Sequence, residues 1–128
     1  MRPIARNAYL VLAWLLVAGL VGQVFLAGLG VFDSPASFAT HVNVGYTLSL
    51  LPILLLIVGL LAGMGRRFAV LAAVVFGLFM LQSVFVAMDD SAPQVAALHP
   101  VNGFLILLLA LVIARDAWTA RAAALQAS

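Results

Sequence analysis

The chain contains two histidines, and both open the same kind of short phrase. His41 begins HVNVGY and His99 begins HPVNGF, so each imidazole is followed four residues later by glycine and five residues later by an aromatic residue. Imidazole is the commonest protein ligand for metals, and its two ring nitrogens are chemically distinct. Because the phrases match and the chain has no other histidine, we expect His41 and His99 to act as a ligand pair.

Glycines follow both histidines at the i+4 position, which lies on the same helix face one turn away. Gly45 and Gly103 therefore leave space directly beside His41 and His99, and a flat ring bound there would meet no side chain. Helix packing is the alternative reason for small residues at these positions. That reason is the better one for Gly59 and Gly63, which are spaced as GxxxG.

Polar and aromatic residues complete the candidate site. A glutamine precedes each histidine by 17 or 18 residues, and we expect the two glutamines to bond to each other, to the imidazole N–H groups or to a ligand edge. An asparagine at i+3 from the second histidine faces the same ligand, and the aromatic residues of the two phrases pack at a ring edge or fill the core. These candidates are Gln23, Gln82, Asn102, Tyr46 and Phe104.

Composition identifies an integral membrane protein. Hydrophobic residues make up 66% of the chain and charged residues 8%, and the mean hydropathy is +1.26. A soluble domain is about half apolar and about a quarter charged. A helix crosses a hydrocarbon core of about 30 Å with about 20 residues, and four apolar stretches have that length. The sequence predicts one all-α domain over residues 1–128, with helices at about 8–32, 38–64, 68–88 and 95–114.

The arginines predict the orientation. All six precede the first span, lie between the second and third, or follow the fourth: Arg2, Arg6, Arg66, Arg67, Arg115 and Arg121. The two remaining connections carry aspartates and no arginine. The positive-inside rule places both termini in the cytoplasm of a multi-pass plasma-membrane protein. The net charge of +2 is therefore a topology signal, and we expect no nucleic-acid partner.

The two halves of the chain resemble each other. QVFLA in the first helix matches QSVFVA in the third, and each is followed by an acidic connection and a histidine. Two helix hairpins in the same orientation predict parallel repeats related by a pseudo-twofold axis along the membrane normal. In an up-down-up-down four-helix bundle the second and fourth helices occupy diagonal corners, about 14 Å apart, with both histidines near the outer rim.

Haem b is the cofactor that fits this inventory. Zinc requires three or four ligands, and the chain has no cysteine and no glutamate. Haem iron requires one or two axial ligands. We therefore expect a membrane b-type cytochrome with one bis-histidine haem near the extracytoplasmic side, for electron transfer or haem handling. One observation opposes this choice, because the outer connections carry Asp33, Asp89 and Asp90, which repel haem propionates.

The phrases LHPVNGFLI and HVNVGY, together with the AWLLVA opening, resemble a poorly characterised bacterial family of four-helix membrane proteins that is common in actinobacteria. The resemblance covers nearly the whole chain and implies a bacterial plasma membrane. More distantly, paired histidines on a pseudo-symmetric four-helix unit resemble b-type membrane cytochromes and haem A synthase, which implies haem binding by His41 and His99. The chain departs from haem A synthase because it has no glutamate and no outer cysteine pair.

Two other functions stay open at the sequence level. One is a haem-free accessory or scaffold subunit of a larger membrane complex, in which the polar cluster stabilises helix contacts. The other is a quinone-binding or lipid-binding bundle, in which a histidine donates a hydrogen bond. The redox partner of a cytochrome would be a quinone or an extracytoplasmic protein. The lipid bilayer is a further expected partner, and a homo-oligomer is left open. An electron carrier or haem-binding protein is favoured over a catalyst.

Overall fold

Long α-helices account for nearly all of the protein, as the apolar stretches predict. The computed structural model describes residues 2–126, with the side chains at 2 and 125 left out of the description. Within that range there is no β-strand, which confirms the all-α class. The helices are α1 (Arg2–Phe32), α2 (Phe38–Leu48), α3 (Leu51–Ala62), α4 (Arg66–Val86), α5 (Pro93–Ala96) and α6 (Leu98–Gln126), with a 3₁₀ turn at Pro35–Ser37.

Four helical segments are long and apolar enough to cross a membrane, and they confirm the predicted number of spans. They are Pro3–Phe32, Pro35–Ala62, Arg66–Val86 and Pro93–Ala124. The last helix is longer than the sequence predicts, because it continues past residue 114 to Gln126. The extension is rich in alanine, the strongest helix former. The helix therefore continues through the charged residues Arg115 and Asp116, which follow the predicted end.

The second span is divided into α2 and α3 close to its middle. Pro52 has no backbone N–H, so the carbonyl four residues earlier loses its usual partner. The Leu50 N–H bonds to the Thr47 carbonyl at 3.2 Å instead of to the carbonyl of Tyr46. The Ser49 hydroxyl then donates to that Tyr46 carbonyl at 2.7 Å. A local side-chain hydrogen bond therefore satisfies part of the interrupted backbone.

The helices form a four-membered ring. Helix α1 packs against α3 and α6, and α4 packs against the same two helices, so the second and fourth spans lie on one diagonal. This is the expected up-down-up-down bundle of two helix hairpins. All four spans contribute fully buried side chains to its core, the largest of which belong to Tyr9, Leu16, Leu55, Val75, Ile106 and Ile113.

The GxxxG pair on α3 has two roles instead of one. A Cβ at Gly59 would come within 2.9 Å of the Tyr9 ring, so this glycine admits a side chain of α1. Gly63 has φ +65° and lies at the end of α3, where the Met64 N–H bonds back to the Gly59 carbonyl at 2.9 Å. This left-handed residue terminates the helix. The packing expectation is therefore correct for Gly59 and wrong for Gly63.

Candidate functional site

The two histidines lie together at one end of the bundle. His41 is in the first turn of α2 and His99 is the second residue of α6, on the diagonal that the ring of helices creates. Their ring centroids are 6.1 Å apart and the ring planes are inclined by 62°. Both side chains are half-buried. The fold therefore brings the two imidazoles to within reach of one small group placed between them.

Each imidazole is oriented by a backbone carbonyl of the preceding helix. The Nδ1 atom of His41 is 3.1 Å from the Gln23 carbonyl oxygen, and the Nδ1 atom of His99 is 3.4 Å from the Gln82 carbonyl oxygen. A carbonyl oxygen only accepts, so these contacts put a proton on Nδ1, which in a neutral ring leaves Nε2 unprotonated. Each Nε2 atom then keeps its lone pair, as an imidazole ligand of a metal requires.

These contacts differ from the sequence-based expectation in one respect. Of the partners predicted for the glutamine side chains, the imidazole N–H groups bond instead to the main-chain oxygens of Gln23 and Gln82. A carbonyl oxygen has two lone pairs, so it can accept a hydrogen bond from an imidazole and also the backbone hydrogen bond of its own helix. The pairing is the same in both halves of the chain, as the pseudo-twofold axis requires.

Asn102 supports the second histidine through α4. It is the buried polar residue of the described core, with 6% of its surface exposed. Its Nδ2 atom donates to the Leu78 carbonyl at 2.9 Å and to Oε1 of Gln82 at 2.8 Å. Gln82 is also the residue whose carbonyl accepts from His99. Asn102 therefore holds the segment of α4 to which that imidazole bonds.

The first half of the chain lacks this support. Val44 stands three residues after His41, where the second half has Asn102 three residues after its own histidine. The Nε2 atom of Gln23 is buried and has no hydrogen-bond partner within the part of the chain that the structure describes. The two halves thus share their histidine contacts and differ in the group that meets the glutamine side chain.

Both site glycines lie beside glutamine amides. A Cβ at Gly45 would be 3.7 Å from Oε1 of Gln23, and a Cβ at Gly103 would be 3.4 Å from Nε2 of Gln82. The space next to each glycine therefore holds a glutamine side chain. Admission of a flat ring at these glycines stays a prediction, and it requires the glutamine side chains to move.

The aromatic candidates do not join the cluster. Tyr46 and Phe104 are 63% and 65% exposed and lie on the outside of the bundle. A different aromatic residue is beside the site, because the Phe38 ring is 6.4 Å from the His41 ring in an edge-to-face arrangement. Phe38 lies outside the repeated histidine phrases, although its position three residues before His41 puts both side chains on one helix face.

The histidine geometry can be compared with metal ligation. A metal held between two imidazoles by bonds of about 2 Å keeps the ring centroids about 6.4 Å apart. The observed 6.1 Å is close to this value, and it also lies within the usual range for two aromatic rings packed edge to face. Among residues 2–126 no three His, Cys, Asp or Glu side chains come together, so the donor set does not fit a closed zinc site. Two imidazoles are the number of protein ligands that a haem iron can take.

Residues 23–88 match a family model described as a family of unknown function, DUF6220. This segment is more than half of the chain. The protein belongs to the DUF6220 family. No curated protein and no solved structure matches the chain at a significant level. The DUF6220 match begins at Gln23 and includes His41 and Gln82, and it ends before His99. It names no activity or cofactor, so the resemblance to cytochromes and haem A synthase depends on the histidine phrases alone.

Proposed function

We propose that the protein is a membrane b-type cytochrome that binds one haem through His41 and His99. The observation that carries this proposal is the arrangement of the two rings, which are 6.1 Å apart with both Nδ1 atoms directed to backbone carbonyls. That arrangement leaves one lone pair on each imidazole for axial ligation. It also matches the ligand number of haem better than that of zinc.

Haem, when bound, supplies one-electron redox chemistry, and the protein supplies ligation and surroundings. The hydrogen bonds from His41 and His99 to carbonyl oxygens fix the ring orientations and make each Nε2 a stronger electron donor. Apolar helices around the pair exclude water and lower the local dielectric constant. If His41 and His99 both hold the iron, they would leave it no open position for a substrate, which favours an electron carrier or a haem-handling protein over a catalyst.

Charge supports an extracytoplasmic location of the site. Arg66 and Arg67, the first two residues of α4, lie at the end of the bundle opposite the histidines, and Arg67 pairs with Asp116 at 2.7 Å. By the positive-inside rule that end is cytoplasmic, together with both termini. The site then faces the outer leaflet of a bacterial plasma membrane, where a quinone or an extracytoplasmic redox protein would exchange electrons with it.

The test is spectroscopic. The protein is produced in haem-sufficient cells, purified in detergent, and compared with its His41→Ala and His99→Ala variants. Ser83→Ala is the matched control, because Ser83 is exposed on α4 next to Gln82. We expect a Soret band and sharp reduced α and β bands in the parent and the control. Each histidine variant should lose the low-spin spectrum.

Two results would refute the cytochrome. One is a fully helical parent protein that stays colourless after reconstitution with hemin. The other is a pair of histidine variants that both keep the haem content and spectrum of the parent. Either result would mean that His41 and His99 do not bind haem.

A quinone site is the second candidate, and one observation favours it. The buried amide of Gln23 has no hydrogen-bond partner in the described part of the chain and lies beside Gly45, one turn from His41. The amide N–H of Gln23 is a suitable donor for a quinone carbonyl, and the unprotonated Nε2 of His41 is a suitable acceptor for a quinol hydroxyl. A colourless protein that co-purifies with quinone, and loses it in a Gln23→Leu variant, would favour this function over the cytochrome.

A further inference from the structure

Helix α2 presents polar side chains to the lipid. Thr40, Asn43 and Thr47 are all exposed, and their spacing of three and four residues puts them on one face of the helix. No other span of the described chain packs against this face, because α2 packs on α1 and the adjoining 3₁₀ turn. We call these three residues the α2 polar stripe.

The equivalent face in the second half of the chain is apolar. Alignment of His41 with His99 pairs the stripe with Leu98, Val101 and Leu105 on α6. These residues are 46%, 62% and 45% exposed, so they face the lipid in the same way. The fold and the membrane depth are thus compatible with an apolar face. The polarity of the α2 stripe therefore needs a reason of its own.

Two of the three residues lie within the hydrocarbon layer. Helix α4 has 21 residues, or about 31 Å, which is about the thickness of that layer. Gln82 lies four residues inside its outer end, and the histidines bond at the level of the glutamines. At about 1.5 Å per residue, Asn43 is then about 3 Å deeper than His41 and Thr47 about 9 Å deeper. Both are beyond the headgroups.

An asparagine amide in hydrocarbon is costly unless it is bonded. The Thr47 hydroxyl donates to the backbone carbonyl of Asn43 at 3.1 Å, so its hydrogen-bond donor has a partner within the same helix. None of the side-chain hydrogen bonds within residues 2–126 involves the Asn43 amide. A partner that brings both a donor and an acceptor to this depth would satisfy it.

We propose that the α2 polar stripe is the contact surface of a homodimer, in which α2 of one copy packs in parallel against α2 of a second. Positions 40, 43 and 47 follow the heptad spacing of such helix pairs. A twofold axis along the membrane normal brings identical residues to the same depth. Asparagine carries both a donor and an acceptor, so Asn43 complements itself. The stripe contains no charged residue that would repel its copy.

Cysteine cross-linking in native membranes tests the dimer, because the natural chain has no cysteine. Single Asn43→Cys and Thr47→Cys variants are compared with Val101→Cys, the repeat-related control on α6. Mild oxidation should convert both α2 variants into a species of twice 13.4 kDa and leave the control monomeric. Equal cross-linking of the control, no dimer from either α2 variant, or a disulfide to a different protein would overturn the proposal.

A second measurement tests the dimer independently, in case the cysteine variants do not fold. Energy transfer between donor-labelled and acceptor-labelled copies in lipid vesicles gives the dimer dissociation constant for Asn43→Leu and for Val101→Leu. We expect about a tenfold weaker dimer for Asn43→Leu, from the loss of two interhelical hydrogen bonds, and no change for the control. Equal constants for the two variants would overturn the role of Asn43. The result does not depend on whether haem is bound.

Discussion

Replacement of Asn102 by valine should destabilise the bundle measurably without leaving a cavity. The side chain is buried and makes hydrogen bonds of 2.9 Å and 2.8 Å to Leu78 and Gln82 of α4. Valine has a similar volume and already occupies the equivalent position of the first half, where Val44 packs against the core. The variant therefore removes the two hydrogen bonds and changes the packing little.

The size of the effect follows from those two bonds. Interhelical hydrogen bonds in membranes contribute about 0.6 kcal/mol on average and up to about 1.7 kcal/mol. The Leu78 carbonyl keeps its helical partner, whereas Oε1 of Gln82 loses its donor inside the bundle. We therefore expect Asn102→Val to lower the free energy of unfolding by about 1–3 kcal/mol.

Reversible unfolding in mixed micelles measures this difference, with Ser83→Ala as the control. Ser83 is exposed on α4 and next to Gln82, so its loss should change the free energy of unfolding by less than about 0.5 kcal/mol. If Asn102→Val costs no more than the control, the two hydrogen bonds do not hold α4 to α6, and the support that we assign to the second histidine is refuted.

Glycine substitutions provide the remaining predictions. Gly59→Ala should lower the free energy of unfolding by about 1–3 kcal/mol, because the new Cβ would be 2.9 Å from the buried Tyr9 ring. Gly77→Ala, with nothing within 4 Å of the new Cβ, should be neutral or slightly stabilising in the same assay. Gly45→Leu and Gly103→Leu should reduce haem per protein and leave the apoprotein helical. Full haem content combined with reduced apoprotein stability would instead make these two glycines packing residues.

The fold was predictable because composition and periodic polarity determine it. Long apolar runs in a chain with 8% charged residues have few alternatives to membrane-spanning helices. The up-down-up-down topology predicts that the second and fourth spans lie on a diagonal, and the packing of α1 and α4 against both of them confirms this. The end of α6 and the role of Gly63 were not predicted, since both depend on backbone conformation at a helix end.

The site was predictable only in part. Matched phrases predicted that His41 and His99 lie together, because repeats put equivalent residues at equivalent depths. The groups that orient them were not predictable, since the acceptors are backbone carbonyls at positions 23 and 82, which every residue type carries. The position of Phe38 beside His41 and the outward direction of Tyr46 also depend on side-chain packing, which spacing alone does not specify.

The protonation of the histidine pair favours a ligand over a purely structural role. Each imidazole has two polar nitrogens, and within residues 2–126 only Nδ1 of each ring has a hydrogen bond. A pair that merely joined helices would leave two unbonded Nε2 acceptors six residues inside the second and fourth spans, where water is scarcer than in the headgroup region. A single group that accepts an electron pair from each Nε2 atom removes the free-energy cost of leaving these two atoms without a partner. Because the two rings share one gap, a single metal satisfies both, whereas separate hydrogen-bond donors would need two independent sites.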